Sequence, residues 1–97
     1  MTLYLDPEAD TALLGLYRDP QQKMLAEKVE RALDELEADP TSANVRRHRF
    51  QWFPPELGAL WCFFVKDGDD EWAILWSGPD AAGDVDVRYI GSASFLP

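Results

Sequence analysis

Two apolar segments near the middle of the chain flank a short acidic turn. The segments are residues 60–66 and 71–76, and the turn between them is Asp67-Gly68-Asp69-Asp70. Each segment has the length of an ordinary strand and is rich in aromatic and β-branched residues, which suit a pleated surface. Because an Asp-Gly pair between two such segments is a strong hairpin signal, the sequence predicts a β-hairpin on which the rest of the chain must pack.

The first strand of this hairpin is apolar on both faces. Alternation predicts one face formed by Ala59, Trp61, Phe63 and Val65, and an opposite face formed by Leu60, Cys62 and Phe64. Strands in the interior of a sheet have this pattern, because both of their faces are covered. Either residues 45–58 and the C-terminal tail cover the second face, or that face stays open for a partner.

The composition indicates one small globular domain, residues 1–97, in which 46% of the residues are hydrophobic. The single cysteine excludes an intrachain disulfide, and the apolar neighbours of Cys62 predict a buried structural thiol. No segment reaches the roughly 18 apolar residues of a membrane span, and early acidic residues interrupt any signal peptide. We therefore expect a cytoplasmic protein that does not bind membranes.

The chain is acidic, with 18 acidic residues, 9 basic residues and a formal net charge of −9. This excess argues against broad nucleic-acid binding, which depends on clustered lysine and arginine. One basic patch stands out, because Arg46, Arg47 and Arg49 lie together with no acidic residue between Thr41 and Pro55. The patch is expected either to contact phosphate or an acidic partner segment, or to be a solvated strand edge.

Two helices are predicted in the first half of the chain. Asp6-Pro7 and Asp19-Pro20 each place an N-cap aspartate before a proline at the first helical position. The helices are predicted over residues 7–17 and 20–38. Their buried positions follow the helical period and are Ala9, Leu13, Leu16 and Tyr17 in the first helix, and Leu25, Val29, Ala32, Leu33 and Leu36 in the second.

Three further segments are predicted to be extended. Residues 2–5 open the chain, residues 45–53 precede the hairpin, and residues 85–90 follow it with Val85, Val87 and Tyr89 on one face. Helices that precede a run of antiparallel strands favour an α+β fold. We predict a short N-terminal strand and a two-helix hairpin packed on one face of an antiparallel sheet of three to five strands.

Five segments together carry a family resemblance. They are Leu3-Tyr4-Leu5-Asp6-Pro7-Glu8-Ala9, Leu33-Asp34-Glu35-Leu36-Glu37-Ala38-Asp39-Pro40, Gly58-Ala59-Leu60-Trp61-Cys62-Phe63-Phe64-Val65, Trp72-Ala73-Ile74-Leu75-Trp76 and Val85-Asp86-Val87-Arg88-Tyr89-Ile90-Gly91. In pattern and order they resemble the RelE/ParE superfamily of bacterial toxins, without a sharp motif. The resemblance implies a RelE/ParE-like domain that is the toxin of a type II toxin–antitoxin pair, with a cognate antitoxin peptide or protein as its partner.

The resemblance also implies a choice between activities. The RelE branch cuts messenger RNA in the ribosomal A site without a metal or other cofactor, and the ParE branch inhibits DNA gyrase. In RelE-type toxins, Lys, Arg and Tyr side chains on the open sheet face polarise the phosphate, activate the 2′-hydroxyl and stabilise developing charge. We expect a ribosome-dependent mRNA endoribonuclease. The alternative is a non-catalytic module that inhibits gyrase or only binds an antitoxin peptide.

The chain departs from the RelE pattern at its basic positions. The first hairpin strand offers only Lys66, the next strand begins with Glu71-Trp72, and Ser92-Ala93-Ser94 follows the last glycine. A surviving active site would therefore depend on other side chains.

The candidate catalytic residues come from two segments of the chain. The cations would be Arg47, Arg49 and Arg88, assisted by Arg46, and the proton-transfer group would be His48 or Tyr89. His48 beside Phe50 and Trp52 is also consistent with an ordinary sheet residue. Alternation places Arg88 and Tyr89 on opposite faces of one strand, so both can line one pocket only if the strand contains a bulge.

The predicted partner contacts are Arg46, Lys66, Trp61, Trp72 and Trp76. The tryptophans are candidates for stacking on bases, for an antitoxin groove or for packing in the core. The acidic turn lacks the full calcium-loop pattern and predicts a solvated hairpin tip without a metal. A third hypothesis is an unrelated α+β domain whose apolar sheet faces form a homodimer.

Overall fold

The computed structural model describes residues 2–46, 48–51 and 59–96 as two helices packed on a five-stranded sheet. The elements are β1 (Leu3–Leu5), α1 (Pro7–Arg18), α2 (Lys23–Ala38), β2 (His48–Gln51), β3 (Ala59–Asp67), β4 (Asp70–Ser77) and β5 (Val85–Ser92). The strands lie in the order β1-β5-β4-β3-β2. The predicted α+β class is confirmed. No helix within these ranges is long and apolar enough to cross a membrane.

The sheet is mixed, and the predicted all-antiparallel sheet is wrong at one edge. Strand β1 runs parallel to β5, with Leu3 opposite Val85 and Leu5 opposite Val87. The other three pairings are antiparallel. Antiparallel neighbours can be joined by a tight turn, whereas β1 and β5 are joined only through all the intervening elements, so no turn sets their relative direction.

Proline and aspartate set the helix starts as predicted, with two differences. The Asp6 backbone occupies the N-cap of α1, but its carboxylate makes no cap bond and pairs with Arg88 instead. The Asp19 carboxylate does accept from the Gln21 amide at 3.0 Å. This local bond holds a 3₁₀ turn over Pro20–Gln22, so α2 begins at Lys23 and not at Pro20.

The central hairpin is confirmed. Asp67 pairs with Asp70 across a two-residue loop, Gly68-Asp69. Gly68 has φ of 60°, and no non-glycine residue in the described ranges has positive φ, which matches the φ signs of a type II′ hairpin turn.

A bulge in β5 changes which residues share a face. Leu75 is opposite Tyr89 and Trp76 is opposite Val87, which leaves Arg88 as an extra residue in β5. The prediction that Tyr89 lies with Val85 and Val87 is therefore wrong. Ile90 takes the place beside the two valines in the core, and Tyr89 moves to the other face.

The two faces of the sheet are covered very differently. The helix-side face and the helices bury one cluster, which consists of Ala9, Leu13, Leu16, Leu25, Ala26, Val29, Ala32, Leu33, Leu36, Val45, Val65, Ile74, Trp76, Val85, Val87 and Ile90. The outer face buries a second, smaller cluster of Leu60, Cys62, Ala73 and Leu75. The predicted alternation along β3 and the predicted buried face of α2 are confirmed. In α1, Tyr17 is 47% exposed and does not join the core.

The outer face is not left open at its centre. Tyr89, Ala93 and Leu96 pack on its four buried residues. The C-terminal tail therefore covers the centre of this face, as the first predicted alternative required of it, while residues 52–58 of the other predicted cover lie outside the described ranges. Strand β2 starts later than the predicted residue 45, because Val45 is buried in the helix-side core and neither Val45 nor Arg46 lies in a strand. Residue 53, the predicted end of that strand, lies outside the described ranges.

Candidate functional site

Two of the predicted arginines stack on one tryptophan. The Arg49 guanidinium carbon lies 4.2 Å from the centre of the Trp61 ring, and that of Arg46 lies 5.0 Å from it. Arg49 is opposite Trp61 in the β2–β3 register, so both side chains are on the helix-side face. A cation near an aromatic face is attracted by the ring quadrupole, so this cluster stabilises itself within the chain.

Arg46 is further held by backbone oxygens. Its Nε donates to the Pro40 carbonyl oxygen at 2.9 Å, and a terminal nitrogen donates to the Gly78 carbonyl oxygen at 3.4 Å. The guanidinium also lies 5.8 Å from the Trp76 ring centre. These contacts tie the connector after α2 to the loop after β4, which gives Arg46 a structural role.

His48 lies on the outer face at the start of β2. It is exposed, and its ring meets the Phe64 ring edge-on with centroids 5.1 Å apart. Its register partner is Cys62, whose thiol is buried as predicted. Burial, with a smaller contribution from the negative Glu71, raises the pKa of Cys62 to about 11, so the thiol stays protonated at neutral pH.

Arg88 occupies the bulge in β5 and pairs with two carboxylates. Its terminal nitrogens lie 3.4 Å from Asp6 and 3.7 Å from Asp86. Asp86 lies between the core residues Val85 and Val87, so alternation places it toward the outer face, and the ion pair with Asp86 draws the Arg88 guanidinium to the same side. The Arg88 Nε is buried without a hydrogen-bond partner among the described residues. The two carboxylates thus balance the charge of this guanidinium.

Tyr89 points to the outer face and is bonded there. Its hydroxyl donates to the Ser92 carbonyl oxygen at 2.9 Å, and burial raises the pKa of its phenol. A Cβ at Gly91 would lie 2.7 Å from the Tyr89 hydroxyl oxygen, so a larger residue at position 91 would displace the Tyr89 ring. A phenol with a raised pKa is a poorer general base at neutral pH.

The predicted partner contacts are spread over the chain. Trp61 and Trp72 are half-buried against the helix-side core, and Trp76 has no exposed surface. A side chain without exposed surface offers no contact to a partner in this conformation. Lys66 is exposed at the far end of β3. Arg47 lies outside the described residues.

The predicted catalytic residues that the structure describes do not form a single site. Arg49 on β2 and Arg88 on β5 are separated by β3 and β4, a distance of about 14 Å at ordinary strand spacing. They also lie on opposite faces of the sheet. Cations that act on one scissile phosphate must all reach the same few atoms. His48 and Tyr89 share the outer face but are on the same two separated strands.

The described part of the chain contains no cluster of three or more His, Cys, Asp or Glu that could hold a metal ion. At the hairpin tip, Asp69, Asp70 and Glu71 are exposed, while Asp67 pairs with Lys28 at 2.9 Å. This geometry agrees with the solvated tip predicted from the sequence.

The sequence analysis missed a groove between α2 and β3. One cavity of about 350 Å³ is lined by Glu35, Asn44, His48, Cys62, Phe63 and Phe64, and a second of about 230 Å³ is lined by Lys28, Arg31, Ala32, Glu35, Phe63, Phe64 and Val65. The two cavities are adjacent, because they share Glu35, Phe63 and Phe64, and together they are called here the α2–β3 groove. Its walls come from segments far apart in the sequence, and no local pattern encodes that they meet.

Comparison with known proteins identifies no relative. The chain matches no protein-family model, no curated protein and no solved structure. The RelE/ParE resemblance therefore stays a prediction from the pattern and order of segments.

Proposed function

We propose that this chain is a non-catalytic protein-binding module that works as one half of a toxin–antitoxin-like pair in the cytoplasm. Its partner would be a small protein with an antitoxin role. One observation carries the proposal: Arg49 and Arg88 lie on opposite faces of the sheet, with two strands between them. The toxin–antitoxin setting rests on the resemblance of the sequence to RelE/ParE proteins.

The intramolecular contacts of the arginines support binding over RNA cleavage. Arg46 is engaged by two carbonyl oxygens and two indole rings, and Arg88 by two carboxylates. Stabilising a cleavage transition state requires donors that are free to meet developing charge. Recruiting Arg46 or Arg88 to a phosphate would first break contacts that hold the fold.

The charge of the chain also favours a protein partner. A formal net charge of −9 repels the phosphate backbone, and the one basic patch is consumed in part by stacking on Trp61. Ribosome and messenger RNA are therefore weaker candidates as partners than a protein.

Two assays on the purified and the expressed protein test this function. Purified chain is added to ribosomes translating an end-labelled messenger RNA, and we expect no new cleavage products. In a bacterial host, induction is followed by incorporation of labelled methionine, uridine and thymidine. Codon-dependent cleavage that Arg49→Ala and Arg88→Ala abolish would overturn the proposal in favour of a ribonuclease. An early fall in thymidine incorporation alone would make gyrase the bound partner.

Co-expression with an adjacent small reading frame supplies the positive test. A stable one-to-one complex with the encoded protein supports a toxin–antitoxin-like pair. If purified chain and that protein do not associate, the pairing is rejected.

A further inference from the structure

The charged residues of α2 are divided between different sides of the helix. Lys28 and Arg31 line the α2–β3 groove, where the Lys28 ammonium pairs with Asp67. Four others recur at steps of four, three and four residues, so they share one stripe along the helix. This stripe, called here the acidic stripe, consists of Lys23, Glu27, Glu30 and Asp34. Within the described ranges, none of its side chains makes an ion pair, so its excess of negative charge is not balanced by a contact in the chain.

The acidic stripe forms one wall of a cavity where α1 gives way to α2. The cavity has a volume of about 320 Å³ and is called here the Tyr17 pocket. Its lining includes Tyr17 at the end of α1, Asp19 in the turn, and Lys23, Glu27 and Glu30 of the stripe. Three carboxylates against one ammonium give this lining a net formal charge of −2. A cation that enters the pocket is therefore attracted to it.

The ring of Tyr17 supplies an aromatic surface inside the pocket. It is 47% exposed, and Leu14, three residues earlier on the same face of α1, is 43% exposed. Burial of part of the ring, together with the negative charges of Glu30 and Asp34, raises the pKa of the Tyr17 phenol. The two carboxylates therefore act on the space around the ring, which combines an exposed aromatic face with unpaired negative charge.

We infer that the Tyr17 pocket binds an arginine side chain, carried by a basic and apolar segment of the partner protein. This inference rests on the proposed function, because it names the chemistry by which that partner is held. The guanidinium stacks on the Tyr17 ring and donates to the carboxylates of Glu27 and Glu30. An apolar side chain next to the arginine covers Leu14.

The chemistry of the pocket favours this occupant over the others. A guanidinium is planar, so it can lie on a ring and pair with a carboxylate at its edge, whereas a lysine ammonium is a compact, strongly hydrated charge. A purely apolar segment would desolvate Glu27 and Glu30 without pairing them. A second copy of the chain would bring another net charge of −9 to a surface that is already negative.

Three synthetic heptapeptides with blocked ends test the inference on the intact chain. Each has one variable residue between two leucines in a serine and glycine background, and that residue is arginine, its uncharged analogue citrulline, or lysine. We expect the citrulline peptide to bind at least about tenfold more weakly than the arginine peptide, and the lysine peptide about threefold more weakly. A citrulline or lysine peptide that binds as tightly as the arginine peptide overturns the inference. So does the absence of binding by the arginine peptide at about 5 mM.

Amide chemical shifts in NMR spectra locate the bound arginine peptide. The largest changes should fall on Tyr17 and on residues 23–30, which form the pocket. Largest changes at the exposed hairpin tip, Asp69 to Glu71, would show attraction to acidic residues in general and would overturn the inference. Spermidine serves as a cation without an apolar neighbour. If it binds the pocket as tightly as the arginine peptide, the occupant is a small cation and not a protein segment.

A charge reversal with a matched control separates the pocket from the overall charge. Glu30→Lys should weaken the arginine peptide at least about tenfold, whereas Glu8→Lys, at the exposed start of α1, makes the same change in net charge and should alter binding less than about twofold. Equal losses in the two variants would overturn the inference.

Two variants of Tyr17 test the aromatic contact. Tyr17→Leu removes the ring face and should weaken the arginine peptide about threefold, whereas Tyr17→Phe keeps the face and should bind like the wild type. Unchanged binding by Tyr17→Leu would contradict stacking on the ring. Circular dichroism of each variant confirms that the chain is folded.

The complex with the co-expressed partner separates this inference from the proposed function. If the partner binds Glu30→Lys as tightly as it binds the wild type, this inference fails and the proposed function stands. If messenger RNA is cleaved while the arginine peptide occupies the Tyr17 pocket, the proposed function fails and the assignment of the pocket stands.

Discussion

The helix-side face and the outer face of one sheet are stabilised in different ways. On the helix side, two amphipathic helices bury a continuous cluster that includes the whole of Trp76. On the outer face, four small or medium-sized residues are covered by Tyr89 and by a short tail that contributes Ala93 and Leu96. Hydrophobic stabilisation follows the apolar area removed from water, so most of it must come from the helix side. The outer face contributes the hydrogen-bonded side chain of Tyr89 and the buried thiol of Cys62.

The largest expected effect separates the two faces directly. Trp76→Ala on the helix side should lower the free energy of unfolding by about 3–5 kcal/mol, because rigid packing leaves a large cavity. Its neighbour Leu75→Ala on the outer face should cost about 2–3 kcal/mol, because the tail can settle onto the gap. Urea unfolding monitored by circular dichroism measures both.

Trp76→Phe is the matched control for this pair. The Trp76 Nε1 is buried without a hydrogen-bond partner among the described residues, so removing it loses no bond. We expect a cost of about 1–2 kcal/mol, well below that of Trp76→Ala, because the phenyl ring still fills most of the site. If Leu75→Ala is as damaging as Trp76→Ala, the contrast between the faces is wrong.

A pH titration isolates the buried thiol of the outer face. The pKa of Cys62 rises from 9.0 to about 11 in the folded chain, mainly through burial. Below pH 9 the thiol is neutral in both states. Between pH 9 and 11 the unfolded thiol ionises first, so stability falls, by at most about 3 kcal/mol.

The comparison of wild type with Cys62→Ala separates this effect from other groups that titrate at high pH. We expect the difference in unfolding free energy between the two proteins to change only above pH 9. A difference that does not vary between pH 9 and 11 would show that the thiol is not buried from water.

The hydroxyl of Tyr89, the residue that covers the outer-face cluster, provides a test with a smaller expected effect on stability. Tyr89→Phe removes the bond to the Ser92 carbonyl oxygen and should cost about 1 kcal/mol. Tyr4 is 52% exposed, so Tyr4→Phe serves as the control and should leave stability unchanged. Thermal unfolding of the three proteins checks this. Equal midpoints would mean that the Tyr89 hydroxyl contributes nothing to stability.

The smallest effect is a gain in the helical layer. A Cβ at Gly15 in α1 would meet no atom within 4 Å, so Gly15→Ala should stabilise the chain by up to about 1 kcal/mol through helix propensity. Gly68→Ala should instead destabilise it, because Gly68 has φ of 60° in the hairpin turn. Thermal unfolding of the two variants and the wild type measures both effects. A lower stability of Gly15→Ala would contradict the open space seen around position 15.

The parts of this fold that were predictable are those set by local chemistry. Asp-Pro pairs predicted both helix starts to within three residues, and Asp67-Gly68 predicted the hairpin. The alternation of Leu60 and Trp61 predicted which face each side chain joins. All of these signals act over a few neighbouring residues.

The unpredicted features depend on partners far away in the chain. The bulge at Arg88 appears only when β5 is paired with β4, and it reverses the predicted face of Tyr89. Asp6 was predicted as a helix cap, but its carboxylate pairs with the guanidinium of Arg88, which is 82 residues away in the chain. The α2–β3 groove likewise combines residues of α2 with residues of β3 that lie far away in the chain, so its residues carried no signal of their own.

The parallel pairing of β1 with β5 imposes an order on synthesis. Among the described strands, β1 leaves the ribosome before the others, yet the strand it pairs with is β5, the last of the five in chain order. Until then, Leu3 and Leu5 have no sheet to join, and Val85 and Val87 have not been translated. The helices can form early, but the sheet is completed late. Pairing of β1 with β5 therefore has to wait until the other described strands have been made, and it closes a long loop.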